Sequence, residues 1–423
     1  MRAHLMARRL GGLTAGIAGL MALAACGSGF SGGGTSPTGT AGGTGGGSGS
    51  LTVLIGSSGD AETQAVTQAV SSWSATSGTP ATVRPASNLN QELAQGFASG
   101  QPPDVFYVSA DSFQGYAANG SLLAYGDKLG AVSDFYPSLV QQFTYKGKLY
   151  CAPKDFSTLA LVINTDDWTA AGLTDADIPT TWDQLAADAK KLTGNGRVGL
   201  AFNGEYARIG VFLAQAGGTM VSADGKTATV DSSANVAALT YVQTHLKDGT
   251  FAYASTVGAG WGGEAFGTGK AAMTIEGNWI TGAMTSNYPN VKYKVVPLPA
   301  GPGGKGTLQF TNCWGIAADS KNQDKAIDLV KYLTATDRQV GFAKAFGVMP
   351  SVQSAAAAYK SQFPELTAFI DSASFAQNTV TANGAAAVIT DFNSKLEGLA
   401  TGDPKAILSS VQTNLQAVLN QNQ

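Results

Sequence analysis

Residues 103–116 read Pro103-Asp104-Val105-Phe106-Tyr107-Val108-Ser109-Ala110-Asp111-Ser112-Phe113-Gln114-Gly115-Tyr116. The apolar, β-branched and aromatic run ending at Val108 has the composition of a buried strand. Upstream the same style recurs. Leu51–Ile55 is a short apolar strand, Gly56–Gly59 a turn, and Ala61–Trp73 places Val66, Val70 and Trp73 at helical spacing. Ala81–Arg84 reads as a second strand and Gln91–Ala98 as a helix with Leu93 and Phe97 on one face. Strands separated by helices predict an α/β fold with a parallel sheet covered on both faces. Ligands of such sheets sit beyond the carboxyl ends of the strands. Gly59-Asp60 and Ala110-Asp111 occupy two of those ends, so Asp60 and Asp111 are placed to accept hydrogen bonds from hydroxyls.

Downstream, strands are expected at Leu159–Ile163, Val198–Phe202, Ala271–Ile275, Val291–Val296 and Trp314–Ala318. Helices are expected at Thr181–Leu192, Gln323–Leu333 and over most of the last 60 residues. Roughly 370 residues from Leu51 onward exceed the usual size of a single core, which points to two domains.

The N-terminus has a different character. Arg2, Arg8 and Arg9 precede an uncharged, mostly apolar stretch from Leu10 to Ala25, which reads as a secretory signal over residues 1–25. Leu23-Ala24-Ala25-Cys26 resembles the bacterial lipobox, in which the cysteine becomes the acylated first residue. The alternative is a plain signal peptide with Cys26 incidental. Residues 26–50 are rich in Gly, Ser and Thr and carry no charge, so they cannot build a core. As a coil they span about 25–30 Å, enough for a folded body to stand off a membrane. No second run is long and apolar enough to cross a bilayer.

The formal net charge is −3, and the signal segment holds three of the basic residues and none of the acidic ones. A mildly acidic, charge-poor chain argues against a nucleic-acid partner. Of three cysteines, Cys151 and Cys313 remain once Cys26 is assigned to the lipid. Outside the cytoplasm such a pair is a disulfide candidate; two buried free thiols are the alternative. His4 lies in the signal, leaving only His245. Zinc sites of Cys/His type and Ser-His-Asp or Cys-His machinery are therefore not expected, and neither a metal nor another cofactor is implied.

Several blocks taken in order resemble the extracellular solute-binding proteins of ABC importers, in their maltose-binding-protein-like carbohydrate branch. They are Pro103–Tyr116, Tyr145–Asp155 running on to Asn164, Thr181-Trp182-Asp183, Gly267–Trp279 with its Gly-Lys-Ala-Ala-Met core, Asn312–Ser320, and Gly347-Val-Met-Pro350. The resemblance covers essentially residues 51–423. It implies a two-lobed periplasmic-binding-protein-like fold of type II, with discontinuous lobes joined by hinge crossover strands. The N-lobe would comprise 51–154 and 315–355, the C-lobe 155–314 and 356–423. Cys151 and Cys313 would fall on the two adjacent crossovers, where a disulfide would tie the hinge strands.

The function implied is a carbohydrate receptor, an oligosaccharide binder that hands its ligand to membrane-spanning importer subunits by hinge closure. It would act as a monomer held by lipid on Cys26 at the outer face of the cell membrane. A sugar presents hydroxyls that need donors and acceptors and C–H faces that stack on aromatic rings. The resemblance carries binding roles onto Asp60, Asp111, Asp155, Glu205, Tyr206 and Trp279. Trp261, set among glycines, and Trp314, on the second crossover, are further candidates, with Glu264 and Asn278 secondary. Asp60 and Asp111 read alternatively as helix N-terminal acids, and Asp155 as a charged loop residue paired with Lys154. Trp73, Trp168 and Trp182 read as packing residues. The Ala- and Thr-rich stretch Asn378–Val388 departs from the family, which carries a stacking tryptophan there.

Two rivals remain open. A secreted carbohydrate-active hydrolase needs two carboxyls about 5–10 Å apart with divergent pKa values, and four acids stand available. A receptor for a metal or other non-sugar solute on the same fold is the second, although adjacent tyrosines are absent.

Overall fold

The computed structural model describes residues 49–422. The signal segment, Cys26 and almost all of the Gly/Ser/Thr stretch therefore lie outside the described residues.

Leu51–Ile55 pairs in parallel with Ala81–Pro85 on one side and Val105–Ser109 on the other. The helices between them are Asp60–Ser77 and Leu89–Ala98. Val66, Ala69, Val70 and Trp73 bury one stripe of the first helix, which ends at Gly78 in the left-handed conformation (φ 69°) that glycine adopts without penalty. Asn88 starts the second, its side chain accepting the Gln91 N–H at 3.1 Å. Val105–Ser109 passes directly into the helix Ala110–Ala118.

Two long strands connect this layer to the rest. Ala152–Asn164 and Thr307–Ile316 run antiparallel to each other, Thr158 facing Gln309 and Asp155 facing Asn312. Thr307–Ile316 also pairs antiparallel with Val105–Ser109, while Ala152–Asn164 pairs antiparallel with Ala271–Gly277 and Tyr293–Val296. Beyond them, Val198–Phe202 lies parallel to both Ala271–Gly277 and Phe251–Tyr253. The sheet is thus mixed rather than wholly parallel, because the two crossing strands run against their neighbours. The first of them is also far longer than the Leu159–Ile163 expected. Its N-terminal half is polar as well as apolar, and that hides the strand period.

Separate apolar cores flank the crossing strands. Ile55, Val70, Phe106, Leu329 and Val330 belong to one. Leu161, Phe202, Phe212, Met273 and Leu415 belong to another, which the C-terminal helices Ala385–Glu397 and Pro404–Gln421 close. A third cluster packs Tyr359 and Phe369 under Phe156 of the first crossing strand. Cys151 and Cys313 are joined by a buried disulfide, with Cα atoms 5.5 Å apart. No helix among the described residues is long and apolar enough to cross a membrane.

Candidate functional site

The crossing strands form the floor of a cavity of about 450 Å³. Its walls come from the turn after Leu51–Ile55, from the start of the helix that follows Val105–Ser109, from Trp279, and from Thr379. This is the position that the sheet topology reserves for a ligand, beyond the carboxyl ends of parallel strands.

A β-bulge shapes the floor. The pairing steps from Asn312–Asp155 to Cys313–Pro153, leaving Lys154 as an extra residue. In a regular strand, successive side chains point to opposite faces. The bulge re-aims them, so Lys154 and Asp155, adjacent in sequence, form an ion pair with each other. Lys154 Nζ also donates to Glu62 Oε1 at 2.8 Å and sits 4.5 Å from the centre of the Tyr107 ring. Tyr107 donates its hydroxyl to the same Glu62 oxygen at 2.9 Å, and Ser58 donates N–H and O–H to the other at 2.8 and 2.7 Å.

The electrostatics follow from burial against partners. Burial pushes the Glu62 carboxyl up, but Lys154 and the Ser58 donors together outweigh it and hold the group below its ordinary value. Burial pushes Asp155 up; Lys154 offsets this only in part, and the Glu62 charge adds to it. For Lys154 burial pulls down, and the two carboxylates outweigh it, so the ammonium is held firmly charged.

Around this triad the cavity is lined with neutral donors and acceptors: Ser109, Gln142, Ser157, Gln309, Thr311 and Asn312. Trp279 is the one exposed large hydrophobic residue among those described, at 38%. Its ring meets Phe310 edge-on at 5.9 Å. The arrangement offers an apolar aromatic surface beside a dense set of hydrogen-bonding groups.

Three of the ten residues singled out from the sequence line this cavity: Asp111, Asp155 and Trp279. Asp155 lines the cavity and is also the partner of Lys154, within a strand rather than a loop. Asn278 stands at the edge, buried, accepting from Ser157 and donating to the Gly347 carbonyl at 2.7 Å. Its amide ties two segments together and has little left for a ligand.

The others lie elsewhere. Asp60 is exposed in the first helical turn and does not line the cavity. Glu205 lies 3.5 Å from Arg208, and Glu264, in the first turn of the helix Gly262–Gly267, accepts the Gly260 N–H at 2.7 Å. Trp261 packs half-buried against the third apolar cluster. Tyr206 and Trp314 are corrections. Tyr206 is buried against Phe392, with ring centres 5.9 Å apart. Trp314 is fully buried beneath the floor, edge-on to Tyr107 at 4.7 Å, because its place in the strand turns the ring into the core.

Sequence reasoning missed Glu62, Lys154 and most of the polar lining. Glu62 carried only a weak signal, an acid in the first turn of a helix. Lys154 was read only as a possible partner of Asp155.

A sheet bridged by two antiparallel crossing strands, with a polar cleft and one exposed tryptophan over them, is the architecture of a two-lobed periplasmic binding protein. Residues 56–340 match the family described as bacterial extracellular solute-binding protein, and the chain belongs to that family. Its members work outside the cytoplasm.

Among curated relatives is the diacetylchitobiose-binding protein DasA of Streptomyces coelicolor, 27% identical over 275 residues, 62% of this chain and 64% of that protein. The chain therefore spans just under two thirds of DasA in length. Among solved structures, the cyclic α-maltosyl-1,6-maltose-binding protein of Arthrobacter globiformis has a TM-score of 0.77 and 22% identity, covering 88% of this chain and 99% of that one. The GacH receptor of Streptomyces glaucescens, solved unliganded and with acarbose, has a TM-score of 0.74 and 22% identity over the same shares. These likenesses establish the two-lobed fold.

Proposed function

We propose that this protein is a carbohydrate receptor that captures an oligosaccharide in the cleft and delivers it to the membrane-spanning subunits of an ABC importer. The observation that carries the reading is Trp279. A single exposed indole beside carboxylates and amides suits a ring that is apolar on its C–H face and polar at its rim. The ligands named for DasA, the Arthrobacter protein and GacH support the same class.

On this reading the lobes are 51–154 with 315–355 and 155–314 with 356–423. They close about the crossing strands, and ligand contacts made only in the closed form hold that form. Asp111, Asp155 and Trp279 contact the sugar. The protein acts as a monomer held at the outer membrane surface by lipid on Cys26, and it catalyses no turnover.

The test is a thermal-shift screen of the full-length chain against mono- to tetrasaccharides, polyols, and calcium and ferric salts. A ligand at a hundredfold excess over its Kd stabilises by about 2.7 kcal/mol. A shift with one sugar series names the substrate. A shift with a metal salt and with no sugar overturns the assignment. Release of nitrophenol from aryl glycosides would overturn the receptor in favour of a hydrolase.

A further inference from the structure

We propose that Arg208 and Glu276 are positioning residues, which hold the Trp279 indole in one orientation as the stacking platform for the cleft's ligand. The proposal rests on the receptor reading for its purpose, but its geometry stands apart from any ligand.

An exposed tryptophan on a short connection would ordinarily sample several rotamers. This one is fixed on four sides. The Arg208 guanidinium lies 5.1 Å from the ring centre, a cation–π contact over one face. The indole N–H donates to Glu276 Oε2 at 2.9 Å. The ring folds back over Gly277 so closely that a Cβ there would lie 2.2 Å from a ring carbon. Phe310 closes one edge at 5.9 Å.

Arg208 and Glu276 lock each other. Arg208 donates from Nη2 at 2.7 Å and from Nε at 3.2 Å, both to Glu276 Oε2, the oxygen that also takes the indole. Three donors therefore converge on one oxygen, while Oε1 is buried without a hydrogen-bond partner. A buried ion pair is weak as a source of stability. Here the pair joins a helix, Tyr206–Gln215, to a strand, Ala271–Gly277, and its shared oxygen fixes the indole between them. Held in this way, the indole is still 38% exposed and lines the cavity, so part of its surface is open to a ligand. A ring ordered before the ligand arrives loses little conformational entropy on binding.

The test uses the ligand-free, full-length chain labelled with 5-fluorotryptophan, read by fluorine NMR. Six tryptophans give six resonances, and the one that Trp279→Phe removes is Trp279. Arg208→Met and Glu276→Gln are expected to move that resonance toward free fluoroindole and to narrow it, with the other five in place. Arg208→Lys, which restores the cation, is expected to bring it part of the way back. A Trp279 resonance of unchanged position and width in both Arg208→Met and Glu276→Gln overturns the proposal. Should Arg208→Met collapse all six signals, Glu276→Gln decides alone, since it keeps the side-chain volume and removes the charge that holds Arg208 against the ring. Because no sugar is present, a Trp279 that is already mobile in the unsubstituted protein, or that the variants leave unmoved, defeats this proposal and leaves the receptor reading untouched. A pinned Trp279 in a protein that no sugar stabilises removes the receptor reading and leaves the pin.

Discussion

Lys154 and Asp155 are consecutive residues of one strand, yet their side chains form an ion pair on the floor of the cleft, because the strand carries a bulge at Lys154. Glu62 completes a buried triad from the other side of Lys154, at 2.8 Å. The floor is thereby charged, enclosed and tied to the first helix as well as to the crossing strand.

Removing the cation from this triad leaves two buried carboxylates without the charge that neutralises them, although Glu62 keeps its donors from Tyr107 and Ser58. Breaking a buried pair by deleting one member costs about 3–5 kcal/mol. Lys154→Met is expected to lower the unfolding free energy by about that amount at neutral pH, measured by urea denaturation with an unchanged slope. A loss below about 1 kcal/mol would mean that the floor is wetter than the contacts imply.

The two carboxylates respond to acid with opposite sign. Glu62 is held below its ordinary value when folded, so its contribution is present above the unfolded value near 4.5 and is lost as pH falls through the folded one. Asp155 is raised, so the folded state takes up its proton more readily and gains stability relative to the unfolded state as pH falls. Glu62→Gln should therefore flatten the loss of stability on acidification below about pH 5, and Asp155→Asn should steepen it. Urea midpoints taken between about pH 6 and about pH 3 read the slopes across both windows, and parallel slopes for all three proteins would refute the assignment.

How far the sequence was legible depends on whether a signal was local. The strands at Leu51 and Val105 and the helix ending near Trp73 announce themselves through apolar period, and Asp111 through its place after a strand. Lys154 and Glu62 do not, since they meet across 92 residues and a bulge that no periodicity reveals. Trp314 misled for a related reason. Its place on a crossing strand is readable, but the face it takes depends on the register against Tyr107. Arg208 and Glu276 look like ordinary helix and strand charges until the fold sets them around one indole.

The disulfide closes a loop of large contour, since Cys151 and Cys313 are 162 residues apart in sequence. Removing such a bond typically costs 2–5 kcal/mol, chiefly by freeing the unfolded chain. Cys151→Ala with Cys313→Ala should lower stability by about that much. Both sulfurs are buried, so dithiothreitol should leave the native protein oxidised and act only once urea opens it. Rapid alkylation of both thiols under native conditions would contradict the buried placement.

Trp279 and Trp314 separate a binding role from a packing role. Trp279 is exposed in the cleft, so Trp279→Ala should cost little stability yet weaken the sugar found in the screen by roughly 30-fold, the loss typical of a central aromatic anchor. Trp314 is buried, and its Nε1 has no hydrogen-bond partner to lose. Trp314→Phe should lose no hydrogen bond and destabilise by about 1–3 kcal/mol through the smaller ring and the cavity it leaves, and leave affinity within about twofold, under 0.5 kcal/mol. Calorimetric titration of both variants with the same sugar decides the matter. If Trp314→Phe lost affinity as Trp279→Ala is expected to, the floor of the cleft would have to open far enough in the bound state to bring a core tryptophan to the ligand.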